Sequence, residues 1–115
     1  PGKLMIGGGI WWPERPVLNE LRSLIDAEGE EFLKIVKNPA ISNFFHWDCD
    51  TLKKMPKEYD ASNPMAEYLK MKEYIMIADL DEAYFDGDDW VAKVADDLRR
   101  LQPMHDFLNY VFDLD

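Results

Sequence analysis

Apolar residues crowd the first dozen positions. Leu4, Met5 and Ile6 lead into Gly7-Gly8-Gly9, and Ile10, Trp11 and Trp12 follow. The stretch from 3 to 10 reads as a strand, because Pro1-Gly2 before it is a turn dipeptide and the run is too short for a buried helix. Glycines inside a strand mark a bulge or a place where another segment approaches the backbone closely. From Pro16 to Ala27 the period changes. Val17, Leu18, Leu21, Leu24 and Ile25 recur at i, i+1, i+4, i+7 and i+8, one face of an amphipathic helix with Pro16 in its first turn. Gly29 interrupts that pattern, and Phe32, Leu33, Ile35 and Val36 mark a second, shorter helix over Glu30 to Lys37.

Asn38-Pro39 and Asn63-Pro64 each pair an N-cap residue with a proline suited to the first helical position. They predict helices over Pro39 to Phe45 and from Pro64 to about Met71. Between them, His46 to Ala61 lacks periodicity and reads as loop with a short extended piece. Tyr74 to Ala78 favours a second strand, over about 73–79, pairing with residues 3–10. Asp88 is the expected N-cap of a last helix from Asp89 to about Phe112, kinked or broken near Arg100 to Gln102 because Pro103 removes a backbone bond and clashes with the turn before it. The sum is one α+β domain over 1–115, mostly helical, with about five helices and a small antiparallel sheet.

Charge narrows the function classes. The chain has 115 residues with 23 acids against 13 Lys and Arg, a formal charge of -10. Asp79, Asp81, Glu82, Asp86, Asp88, Asp89, Asp96 and Asp97 face only Lys93 in their segment, so nucleic acid is not an expected partner: phosphate backbones are held by cations. No apolar stretch is long enough for a membrane span, and the single cysteine, Cys49, excludes an internal disulfide. A cytoplasmic setting is expected.

Candidate chemistry is sparse. Gly7 to Gly9 lack both the G-x-G-x-x-G and the Gly-Lys-Ser/Thr patterns of phosphate loops. His46, Trp47, Asp48, Cys49 and Asp50 gather reactive types, but Cys49 has no second cysteine and the spacing matches no zinc site. A calcium loop started at Asp79 fails at its fifth and sixth positions, Ala83 and Tyr84. Neither metal nor cofactor is therefore expected. The candidate ligand-binding residues are Trp11 and Trp12, as a stacking wall, and Lys72, as an anion ligand close to a strand.

Four stretches in fixed order carry a family resemblance: Gly7 to Glu14; Pro56-Lys57-Glu58-Tyr59; Leu69 to Tyr74; and Leu101-Gln102-Pro103 with Phe107-Leu108-Asn109. Together they resemble the C-terminal half of the bacterial domain of unknown function 2461 family. The resemblance implies no established activity. It implies longer members, with an arginine-rich stretch upstream of the part seen here. With the turn dipeptide at its start, the chain reads as the C-terminal part of a longer protein, its missing half a partner. Three roles follow as expectations: a scaffold that self-associates through the 3–10 strand edge; part of an enzyme or binding protein for an anionic, phosphate-bearing small molecule whose basic motif lies upstream; or an acidic protein-interaction module.

Overall fold

The computed structural model describes residues 4–112. The Pro1-Gly2 turn and Lys3 lie outside them. Strand β1 (Leu4–Ile10) pairs antiparallel with β3 (Tyr74–Leu80), in register from Leu4 opposite Leu80 to Ile10 opposite Tyr74. A third strand, β2 (His46–Trp47), pairs antiparallel on the other side of β3, giving the order β1-β3-β2. The sequence indicates β2 only as a short extended piece, because two residues are too few to show a period.

The helices are α1 (Arg15–Ala27), α2 (Gly29–Val36), α3 (Pro39–Ser42), α4 (Ala66–Leu69), α5 (Trp90–Arg99) and α6 (Gln102–Asn109). Among the described residues these are six, in keeping with the expected about five, since the last helix breaks in two. Arg100 and Leu101 bond back to Asp97 and Leu98, tightening the turn, and Pro103 opens α6 where its missing N–H costs nothing.

Other boundaries differ from the sequence pattern for local reasons. Asn38 caps α3 by accepting from the Ala40 amide at 2.9 Å, but α3 stops at Ser42 rather than Phe45. Asn63 accepts from the Met65 amide at 2.8 Å, which forms a turn first and delays α4 to Ala66. The cap of α5 is Asp89, not Asp88, and its side chain makes no cap bond. Within the acidic segment, Asp81 accepts from the Tyr84 amide at 3.1 Å and closes a 3₁₀ turn over Glu82–Phe85. Lys93 donates to the Tyr84 carbonyl at 2.7 Å and the Tyr84 hydroxyl donates to Asp97 at 2.6 Å, so part of the negative segment is tied to α5.

The core lies on one face of the sheet. Tyr74, Met76 and Ala78 of β3 join Leu21 and Ile25 of α1, Phe32 and Val36 of α2, and Leu101, Met104 and Leu108 from the α6 region. Alternation puts Ile75 and Ile77 on the opposite face, also buried. The glycines of β1 fit this central strand. A Cβ on Gly7 or Gly9 would meet the Met76 or Tyr74 carbonyl oxygen, and one on Gly8 would sit 2.8 Å from His105 Nε2. Gly9 also stands at φ 139°, a backbone conformation that side chains disfavour.

Substituting Gly9→Ala should therefore cost on the order of 2–4 kcal/mol, since strain and a backbone clash add. Urea unfolding measures this; a loss below about 0.5 kcal/mol would contradict the close approach.

Candidate functional site

Helix α1 presents Arg15, Leu18 and Arg22 at i, i+3 and i+7, a single face. That face looks onto the segment before β3, and with Pro13, Leu52 and Lys72 it lines a cleft of about 390 Å³. Among the described residues, three cations and no carboxylate line this cleft, in a chain of net charge -10.

Arg22 is the unusual member. It is 7% exposed, although an arginine is almost never buried without a partner. Its Nη2 donates to the Met71 carbonyl at 3.0 Å, which ties α1 to the residue before Lys72. Its Nε is buried with no hydrogen-bond partner among the described residues. The carboxylate one turn along α1, Asp26, accepts instead from Asn63 Nδ2 at 2.7 Å, and Arg22 makes no ion pair among the described residues. The nearby Tyr74 phenol does not supply the missing charge either. Burial pushes its pKa up, against the pull of Arg22, and the protonated hydroxyl donates to the Tyr68 carbonyl at 2.7 Å.

The other residues marked by the sequence separate. Lys72 lines the cleft, held where its own amide donates to the Asp50 carbonyl at 2.9 Å. Trp11 and Trp12 precede Pro13, edge to face with ring centres 6.0 Å apart, and the cleft lining begins at Pro13. Trp12 is 78% exposed and adopts φ 42°. Arg15 and Arg22 were missed by sequence reasoning; the signal was a cation inside the apolar stripe of α1, at Arg22 between Leu21 and Ile25.

The reactive patch at His46 to Asp50 serves the sheet. Cys49 sulfur accepts from the Ile75 amide at 3.3 Å and the thiol donates to the Ile75 carbonyl at 3.4 Å. Burial pushes the thiol pKa up, and the neighbouring Glu73 adds to the rise, so the group is held away from the nucleophilic thiolate. Glu73, itself buried, accepts from the Asp50 amide at 3.0 Å. His46 lies 3.9 Å from Asp79 at the surface, and no group of three metal-ligating side chains occurs among the described residues. A larger cleft of about 600 Å³ between α1, α2 and α6 has Glu28, Glu31 and Asp106 at its edge. Among the described residues it holds no unpartnered buried polar group.

The family described as "Conserved hypothetical protein (DUF2461)" matches residues 1–107. The chain belongs to this family. No curated protein and no solved structure matches it. The DUF2461 match spans the whole cleft, from Pro13 to Lys72, and the strands beneath it. Among the described residues no helix is long and apolar enough to cross a membrane.

Arg22 carries a buried charge that no ion pair among the described residues offsets. A buried charge without a partner opposes folding, and replacing it by an apolar chain of similar length is often neutral or favourable. Arg22→Met should leave the unfolding free energy of the ligand-free protein within about 1 kcal/mol of the parent, or raise it. A loss above about 3 kcal/mol in urea titration would make Arg22 a structural residue.

Proposed function

We propose that this DUF2461 chain binds a small, phosphate-bearing anion in the cleft of Arg15, Arg22 and Lys72. The observation that carries the reading is the buried, unpartnered Arg22 Nε. Arginine cannot shed its charge when buried, as a lysine can, so a negative partner meets its deficit best. Arg15 and Lys72 add two cations at the same place, and guanidinium groups match phosphate oxygens two at a time. The positive end of α1 lies beside Arg15 and adds to the attraction. The expected partner is a small molecule, not nucleic acid. A polymer would bring many phosphates against an acidic surface, while a small anion meets only the cleft.

A second reading, compatible with the first, concerns β1. On its outer side no strand among the described residues pairs with it, and Leu4 and Met5 are 43% and 52% exposed there. Such an edge templates another strand, so association through Leu4–Ile10 accompanies the ligand site.

Inorganic phosphate at about 100 times its Kd should stabilise the protein by about 2.7 kcal/mol, and Lys72→Ala and Arg15→Ala should each weaken the effect at least tenfold in concentration. A melting temperature indifferent to phosphate in the parent protein would refute the anion reading. For the strand edge, light scattering should show concentration-dependent association that Met5→Lys suppresses; a monomer with β1 amides protected from exchange would refute it.

A further inference from the structure

The cleft contains more than an anion site needs. Pro13, Leu18 and Leu52 make half of its lining. Bare phosphate would leave that apolar surface in water, whereas an organic body attached to the phosphate would cover it. Directly bonded to Pro13 is Trp12, whose backbone is in the left-handed region at φ 42° while its ring is 78% exposed. Both features are unfavourable in the free protein. A bulky residue in that conformation is strained, and a large aromatic left in water recovers none of the strain by burial. Trp11 packs edge to face against it and helps fix the ring's direction. A strained, exposed aromatic one residue along the chain from the first lining residue of a cationic cleft suits a stacking platform.

Resting on the anion-binding reading above, we infer that the ligand is a phosphomonoester with a planar aromatic body, of the nucleoside monophosphate class. Its dianionic phosphate meets Arg15, Arg22 and Lys72, its middle covers Leu18, Leu52 and Pro13, and its ring stacks on Trp12. Three cations without a carboxylate suit a dianion better than a single carboxylate group, which would leave two of them unmatched. Size agrees: the cavity of about 390 Å³ falls within the range of small-molecule sites.

Calorimetric titration of the 115-residue chain with inorganic phosphate, ribose 5-phosphate and adenosine 5′-monophosphate separates the parts of the inference. The nucleotide should bind about tenfold more tightly than the sugar phosphate, a margin that stacking of one base supplies. Trp12→Gly, which relieves the positive φ, should keep or raise the melting temperature, erase that margin and leave inorganic phosphate binding unchanged. Equal affinity for nucleotide and sugar phosphate would overturn the aromatic body while leaving the anion site standing. Loss of inorganic phosphate binding in Trp12→Gly would overturn the platform role, since the ring would then be shaping the cation site. No binding of any of the three would remove the anion reading, and this inference with it.

Discussion

The close backbone contact between β1 and β3 fixes the rest of the molecule. Gly7 and Gly9 have no Cβ to meet the carbonyls of β3, so the two strands pair along their whole length. Gly8 leaves the same room on the helical side, where His105 and Leu101 settle over it. Strand β3 is then central, with one face given to the helical core and its flanks to β1 and β2. Because β3 cannot shift in register without exposing Tyr74, Met76 and Ala78, the residues just before it are also fixed. Lys72 belongs to those residues, and so does Met71, whose carbonyl takes the Arg22 hydrogen bond.

The cleft is thus the outer end of a chain of constraints that begins in the core. Leu21 and Ile25 bury one side of α1 completely, and Arg22 lies between them in sequence. Its position on the helix gives its stem the same burial, and its head reaches the end of α4 and the start of β3. The sheet needs no cation at that point. Arg22 satisfies the Met71 carbonyl there, and its remaining buried N–H is the group that the proposed ligand would engage.

Much of this was legible in the sequence, for identifiable reasons. Period and proline placement located β1, β3, α1, α2 and the break before Pro103, because each has strong local determinants. The glycine run was readable as room for a neighbour, and β3 is that neighbour. Boundaries set by side-chain competition were not readable: Asn63 closes a turn before α4, and Asp89 rather than Asp88 precedes α5. Lys72 stood out through its motif. Arg15 and Arg22 did not, because a cation beside an apolar stripe usually lies along its edge with the head in water, and only the fold shows that Arg22 is buried.

The acidity of the chain and the cationic cleft form one electrostatic design. With a net charge of -10, the surface lowers the local concentration of every anion, and polyanions are repelled in proportion to their charge. A cleft of three cations reverses the sign only within a few ångströms, since salt screens exposed charge beyond about 8–10 Å. The proposed small dianion would enter that volume with its organic body against Pro13, Leu18 and Leu52. A phosphate chain would bring its further charges against a protein of net charge -10. Under the proposed reading, selectivity for small anions follows from this contrast between cleft and surface, and the buried Nε of Arg22 is the group that a bound anion would relieve.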